Sequence, residues 1–272
     1  MEVKDKNIRM TYDKKIILFS VNSFFAFLSS FLLLHILSQI VTIIVAHANS
    51  IPTRFNYFNV IFPISDDSNL WTQNSVVSIY LSGPLFCLLL GLAFRRYLTI
   101  SIDNPNRNTK LFFIWGYTHA MNCFFGGLIA GIPLLKGIGY VPIWLYFSNT
   151  ALIITIVFSG VLLLLNGFFL RNIFSSLSYA EICWKKPFLF KFMIIYAPYL
   201  LAFALFFILR FPDNSIYQQA LMVTLLLQLF FIMSNSYIHE WDDEVKVSIA
   251  VSWKLILLCL SLFWIIFIWS KM

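Results

Sequence analysis

The sequence predicts an all-α fold, a polytopic bundle of about seven transmembrane helices with its N-terminus on the cytoplasmic side. Two observations support this. Hydrophobic residues make up 60% of the 272 residues and charged residues only 11%, whereas a soluble domain carries about 25% charged residues. The charged residues also stand in the gaps between long apolar runs. A chain of this size cannot hide so much apolar surface from water, so lipid is its expected solvent.

The apolar runs define the predicted spans. The first run, from Ile16 to Thr53, contains no Asp, Glu, Lys or Arg and is nearly twice the ~20 residues that a helix needs to cross a bilayer. It forms either one long tilted helix or a helix that leads into a buried, non-helical stretch. The predicted spans cover about 16–47, 76–94, 111–135, 149–170, 188–209, 216–236 and 248–270. We assign them all to a single membrane domain, residues 1–272.

Basic residues set the predicted orientation. If the N-terminus lies inside, most of the nineteen Lys and Arg residues lie on the inside. The outside segments then hold Arg54, Lys136, Arg210 and Lys271. Removing one helix would scramble this bias, so it also supports the number of spans. We expect an integral membrane protein of the bacterial inner membrane, with a eukaryotic endomembrane as the alternative.

Three loops differ from simple connections. Arg54 to Phe62 is aromatic and β-branched with rough alternation, which predicts a strand or short hairpin after the first span. Apolar residues at helical spacing predict an interfacial amphipathic helix over about 172–184. The acidic cluster from His239 to Glu244 is expected to be a solvated loop, because it lacks the ligand spacing and the Gly turn of a Ca²⁺ or Mg²⁺ site.

Polar residues within the spans are the candidate site residues, because polar groups are costly inside a bilayer. His35 and Gln39 lie four residues apart in the first span and share a helix face. His119 and Asn122 share a face of the third span. Two interpretations remain open for these four side chains. They either form hydrogen bonds between helices, or they line a buried site.

Small residues predict close helix packing in two spans. Gly83 and Pro84 in the second span predict a kink and a close approach to a neighbouring helix. Gly126 shares the face of His119 and Asn122, and Gly127 with Gly131 makes a GxxxG step. We therefore expect a tight helix–helix contact along the third span.

Cysteine spacing and charge distribution limit the partners. Cys87, Cys123, Cys183 and Cys259 form no CxxC pair, so we expect free thiols that pack as small apolar side chains. The net charge of +7 is spread over loops rather than pooled on one face, and no nucleic-acid partner is predicted. The expected partners are the lipid bilayer and other membrane subunits.

Taken in order, these motifs resemble the site-2 proteases, a family of intramembrane zinc metalloproteases. Its members carry HExxH on a transmembrane helix, then a β-structured segment, a Gly-Pro helix, and an Asn- and Gly-containing stretch with an Asp ligand. The corresponding segments here are His35-Ile-Leu-Ser-Gln39, Arg54–Phe62, Ser82-Gly83-Pro84-Leu85 and His119–Gly131. The resemblance covers roughly residues 30–135 and implies a site-2-protease-like fold.

The resemblance also has clear departures. Ile36 replaces the catalytic Glu, Gln39 replaces the second His ligand, and no Asp or Glu occurs within an apolar run. The charge bias places the segment after His35 outside, whereas the family's comparable segment faces the cytoplasm. The resemblance therefore implies a degenerate, catalytically inactive relative, and we assign no catalytic residue.

Three functional hypotheses follow. The leading one is a non-catalytic subunit or scaffold on a degenerate site-2-protease-like bundle, without a cofactor. The second is a metal-dependent intramembrane hydrolase whose zinc is held by His35, His119 and His47, since neutral imidazoles suit a transition metal. The third is a small-molecule transporter with a path along the second and third spans, although the spans lack the carboxylate that many coupled carriers use.

Overall fold

The structure is a computed structural model that describes residues 2–56, 59–100, 107–176, 187–209, 215–233 and 251–269. Its first half contains one long helix, a hairpin, and four further helical segments. These are α1 (Glu2–Ala48), β1 (Arg54–Asn56), β2 (Asn59–Ile61), α2 (Gln73–Ile100), α3 (Arg107–Met121), a π-helical segment (Asn122–Gly126) and α4 (Gly127–Leu134).

The second half is mostly helical over its described residues. It consists of a 3₁₀ turn (Gly137–Gly139), α5 (Tyr140–Trp144), α6 (Asn149–Ser176), α7 (Pro187–Lys191), a second π segment (Phe192–Tyr196), α8 (Ala197–Leu209), α9 (Ile216–Phe230), a 3₁₀ turn (Phe231–Met233) and α10 (Trp253–Trp269). The predicted all-α class fits this architecture.

The first span is one helix, and a short non-helical segment with one buried residue follows it. α1 continues without a break to Ala48, and Ile51 in the extended segment beyond it is completely buried. α1 is also the centre of the bundle, because it packs against α2, α3, α8 and α10. Ser23 on α1 accepts a hydrogen bond from the Trp115 indole at 2.9 Å and donates one to the Ile194 carbonyl at 2.6 Å. Polar contacts thus reinforce the apolar core near the middle of α1.

Several helices have the length and composition of membrane spans. Four qualify singly, over Lys14–Ala48, Gln73–Ile100, Asn149–Phe174 and Phe188–Ile208. Arg107–Leu134 with Gly137–Trp144 makes a fifth if this bent pair counts as one span. Large apolar side chains cover the outer face of α6, where Ile154 and Phe158 are each 61% exposed. Such a face is suited to lipid rather than to water.

Two predicted spans are shorter than expected in the described residues. α9 has 15 residues and α10 has 17, against the longer runs 216–236 and 248–270. Parts of both runs, the acidic cluster at 239–244 and Cys183 lie outside the described residues. For the amphipathic helix predicted over 172–184, the described part, to Ser176, continues α6, and the rest lies outside them too.

The hairpin predicted after the first span is confirmed. Arg54 pairs with Ile61 and Phe55 with Val60 in an antiparallel register. Phe55 stacks on Trp269 at the end of α10, with ring centroids 4.3 Å apart. The hairpin therefore covers the end of the bundle at which α1 and α10 finish.

The third predicted span ends in a bend that the sequence did not indicate. Leu135 adopts a left-handed conformation with φ 51°, and the chain then turns into the 3₁₀ turn and α5, which are bent by 67° from the preceding helix. Gly131 and Gly139 allow the two segments to touch: a Cβ on Gly131 would lie 2.8 Å from the Gly139 nitrogen. The bend returns the chain to the same end of the bundle as the hairpin.

Candidate functional site

A cavity of about 520 Å³ lies at the centre of the bundle. Its walls come from α1, α2, α3, the first π segment and α9, and its rim from the hairpin and the 3₁₀ turn after α4. A volume of this size is within the range of pockets that bind small organic ligands, about 300–1,000 Å³. All four buried polar candidates from the sequence, His35, Gln39, His119 and Asn122, border this cavity.

His119 lies in an aromatic cage at the inner wall. Its ring packs edge-on against Phe27 and Phe31, with centroids 4.4 and 5.4 Å away, and stacks on Trp115 at 6.2 Å. The ring donates a hydrogen bond to the Phe27 backbone carbonyl. Its Nε2 atom is buried and has no hydrogen-bond partner among the described residues. In a neutral imidazole that donates through Nδ1, Nε2 is an acceptor, so His119 holds an unused, buried acceptor beside the cavity.

His35 approaches the same part of the wall from α1. Its ring is parallel to that of Phe31, with centroids 5.9 Å apart, and the same Phe31 ring contacts His119. Gln39 lies one turn further along α1 and continues the wall towards the rim. The structure thus brings His35 and His119 to one cavity through a shared aromatic neighbour.

Asn122 serves mainly as a bridge between helices. Its side-chain nitrogen donates to the Leu221 carbonyl at 2.7 Å, and its oxygen accepts from the Thr224 hydroxyl at 3.0 Å. It also begins the π segment, a local widening that occurs often at functional sites. Asn122 therefore holds α9 against the third span while it borders the cavity.

A second polar contact between helices was not predicted. The amide of Asn166 on α6 donates to the Gln228 side-chain oxygen at 2.5 Å, and Gln228 donates to the Thr118 carbonyl at 3.1 Å. Gln228 is completely buried. Asn166 and Gln228 are each a single polar residue between apolar neighbours in the sequence. This pattern could have predicted a buried polar contact between their helices. Three helices are joined at this point, behind the cavity wall.

The predicted packing residues lie at three contacts. A Cβ on Gly83 would lie 2.5 Å from the Ser38 hydroxyl of α1, and Pro84 borders the cavity. A Cβ on Gly126 would lie 2.5 Å from the Thr224 hydroxyl of α9. Gly127 and Gly131 pack against the turn that follows α4: a Cβ on Gly127 would lie 2.9 Å from Ile138, and one on Gly131 would lie 2.5 Å from the Lys136 carbonyl oxygen. The GxxxG step thus contacts mainly a returning segment of its own chain.

The rim carries the positive charge of the site. Lys136 is exposed and is the one charged residue among the described residues that line the cavity. Next to it, Gly137 has φ +56°, and a Cβ there would lie 2.5 Å from the Tyr217 hydroxyl. Glycine is thus required at this position both by its backbone conformation and by the packing of Tyr217.

The zinc alternative named His35, His119 and His47. His47 lies near the end of α1, where it forms a hydrogen bond with Thr53 at 3.3 Å, and it is not among the residues that line the cavity. Within the described part of the chain, no group of three or more His, Cys, Asp or Glu side chains is arranged to hold a metal ion. Zinc binding stays a prediction from the sequence.

The site can bind a molecule through shape, aromatic contact and hydrogen bonds. Its inner wall combines the Nε2 acceptor of His119 with the neutral side chains of Ser38, Gln39 and Thr42.

Comparison of the chain with protein-family models, with curated proteins and with solved structures gave no match.

Proposed function

We propose that this chain is a non-catalytic, multi-pass membrane protein that binds a small neutral organic molecule in its central cavity. The observation that carries the proposal is the unused Nε2 acceptor of His119 at the wall of a 520 Å³ cavity. A buried polar atom without a partner costs about 1–3 kcal/mol, and a ligand O–H or N–H removes that cost. Of the three hypotheses from sequence, this is closest to the small-molecule carrier.

The proposal includes a threading of about seven spans with the N-terminus inside. Contacts between distant residues support it. Asn22, in the inner part of the first predicted span, accepts a hydrogen bond from the Ser252 backbone just before α10, at 2.8 Å. Gln73 and Trp144, both at predicted outer ends, are joined by a hydrogen bond of 3.0 Å. Each contact pairs two ends that the charge bias assigns to the same face of the membrane.

This threading puts the cavity rim on the outer face. The hairpin, Lys136 and the first turn of α9 all lie at the end of the bundle where α1 finishes. A ligand would therefore enter from outside, past Lys136. The walls favour an apolar or aromatic body, because Phe31, Tyr80 and Tyr140 line the path between rim and inner wall.

We also retain the degenerate site-2-protease-like arrangement as a proposal for the fold. The segments that carry the resemblance, around His35, Val60, Pro84 and His119, all border this one cavity. In that arrangement the cavity occupies the place of a lost catalytic centre, and the chain acts as a subunit or scaffold that senses a bound molecule.

Binding of 2-naphthol and of 2-methoxynaphthalene tests the proposed function. The two probes share an aromatic body, but only the naphthol has an O–H to donate to His119 Nε2. We expect saturable binding of 2-naphthol to protein in lipid nanodiscs, measured by equilibrium dialysis against empty nanodiscs. One neutral hydrogen bond predicts about threefold to tenfold tighter binding than the methoxy analogue.

Two variants make the result specific. His119→Phe keeps an aromatic ring but removes Nε2, and we expect it to bind both probes equally. Tyr196→Phe removes a hydroxyl that donates to the Leu229 carbonyl and does not line the cavity, so it should keep the preference for naphthol. Binding that is no greater than to empty nanodiscs, or a preference that survives His119→Phe, would contradict the proposal.

A further inference from the structure

The cavity wall also contains two thiols that the proposed ligand binding does not use. Cys87 on α2 and Cys123 in the first π segment both border the cavity. The two thiols lie close enough to interact with each other, and the Ser38 side chain of α1 lies beside both of them. Cys87 also contacts the Leu34 carbonyl at 3.7 Å. Two sulfur atoms are thus held side by side where three helices meet.

The helix packing explains why the thiols meet. A Cβ on Gly91 would lie 2.8 Å from the Cβ of Ala120, so α2 and α3 approach very closely there. The two helices run in opposite directions, and Cys87 and Cys123 each lie one turn away from this contact, on the same side of it. Cys87, Ala120 and Leu34 form one buried cluster against which Cys123 packs.

This arrangement suits a disulfide. The bond needs Cβ atoms about 3.5–4.5 Å apart, so the two cysteines have to be direct neighbours. Cys87 and Cys123 meet this requirement in kind, because they border one cavity and Cys123 packs against the buried cluster that contains Cys87. Structural thiols buried alone in a core do not meet this condition. Cys259 is such a thiol, because it is buried in the main core and away from the cavity.

We propose that Cys87 and Cys123 are a redox-active pair that forms a reversible disulfide by reducing a small hydroperoxide admitted through the cavity. The oxidant has to be uncharged, because the described inner wall offers no charged side chain to stabilise an ion. Hydroperoxides are small, neutral two-electron oxidants of thiols.

The chemistry balances within the pair and the peroxide. The sulfur of one thiol attacks the peroxide as its proton passes to the departing oxygen, so that an S–O bond forms, the S–H and O–O bonds break and a neutral alcohol leaves. The second thiol displaces the sulfenic oxygen as water, and the S–S bond forms. Two thiols lose two electrons and two protons, and the hydroperoxide becomes one alcohol and one water. The new bond ties α2 to the π segment at the cavity wall.

The test uses purified full-length protein with the substitution Cys183→Ser, so that Cys87, Cys123 and Cys259 are the remaining thiols. The protein is treated with tert-butyl hydroperoxide, denatured, alkylated with a maleimide and analysed by mass spectrometry. We expect only Cys259 to be alkylated, and a Cys87–Cys123 linked peptide to appear. Dithiothreitol should restore alkylation at both cavity thiols.

Matched variants distinguish a specific Cys87–Cys123 disulfide from general oxidation of the cysteines. Cys259→Ser should still form the linked peptide, whereas Cys87→Ser and Cys123→Ser should not. The proposal is overturned if Cys87 and Cys123 both remain open to alkylation, or if the disulfide joins two chains instead of one. It is also overturned if diamide forms the bond and the hydroperoxide does not, because the assigned oxidant is then wrong.

Discussion

At the scale of single residues, uncharged polar side chains do most to specify which helices meet. Asn122, Asn166, Gln228 and Thr224 join α9 to the third span and to α6 through hydrogen bonds between side chains or to carbonyls. Lipid chains are as apolar as Leu, so apolar side chains alone distinguish neighbours poorly in a bilayer. A buried amide has to find a partner, and this requirement selects one arrangement of the helices.

The Asn166–Gln228 pair allows a direct test of this role. Gln228→Leu removes a completely buried amide side chain. The Asn166 amide and the Thr118 carbonyl each lose their hydrogen bond to this side chain. We expect a loss of about 1–2 kcal/mol in the free energy of unfolding, measured by SDS titration in mixed micelles. Asn166→Leu together with Gln228→Leu should cost less than the sum of the two single changes, because no amide is then stranded.

Thr155→Ala is the control for that measurement. The Thr155 hydroxyl donates to the Ala151 carbonyl of its own helix, at 2.8 Å, and so joins no second helix. Thr155→Ala should lower the free energy of unfolding by less than about 0.5 kcal/mol. Strict additivity of the two Leu substitutions would show that Asn166 and Gln228 do not act as a pair.

At the scale of elements, the third span is the most unusual part of the bundle. It contains the π segment, bends by 67° after α4, and returns as a 3₁₀ turn and α5. The bend depends on the contact between Gly131 and Gly139, which leaves no room for a side chain. The rim of the cavity is built from this returning segment, so the shape of the site depends on two glycines far from the aromatic cage of His119.

Gly131→Ala tests that dependence. The new Cβ would lie 2.5 Å from the Lys136 carbonyl oxygen and 2.8 Å from the Gly139 nitrogen, and both are backbone atoms with little freedom to shift. Overpacking of this kind costs about 1–3 kcal/mol, and we expect a lower free energy of unfolding in SDS titration together with weaker binding of 2-naphthol.

Gly160→Ala is the matched control, because nothing lies within 4 Å of its Cβ. It should be neutral or stabilising by up to about 1 kcal/mol. Equal effects at the two positions would remove the argument for the Gly131–Gly139 contact.

The elements differ in how far sequence reasoning predicts them. Long uncharged runs predict helices well, and the alternation in Arg54–Phe62 predicts the hairpin, because both patterns are local. The bend after Leu134 has no such pattern: Gly137 to Trp144 is apolar and resembles the tail of a span. Spacing also places His119 and Asn122 on one face, but it does not give the aromatic cage, since Phe27 and Phe31 come from another helix. Contacts between helices depend on the rotation of each helix about its axis, which local patterns leave open.

At the scale of the whole molecule, the contacts between helix ends support the proposed threading. Arg95, near one end of α2, lies over the Phe169 ring near the end of α6, 4.6 Å from its centroid. Both belong to ends that the basic residues assign to the inside. The hairpin, α5 and the start of α9 gather at the opposite end, around the cavity rim. In the proposed threading, one face of the bundle is basic and the other bears the cavity rim, so a ligand would be taken from a single side of the membrane.

Labelling of single cysteines tests this threading. Ser65 follows the hairpin and Thr99 lies near the far end of α2, and both are exposed. In a cysteine-free background, we expect Ser65→Cys to react with a membrane-impermeant maleimide in intact cells, and Thr99→Cys to react only after permeabilisation. Tyr146→Cys, between α5 and α6, should behave like Ser65→Cys because the bent third span returns to the same face.

If Ser65→Cys and Thr99→Cys react from one side, α2 does not cross the bilayer. If instead both positions exchange sides, the helices span as proposed, but the cavity opens towards the cytoplasm, and any ligand has to be taken from within the cell.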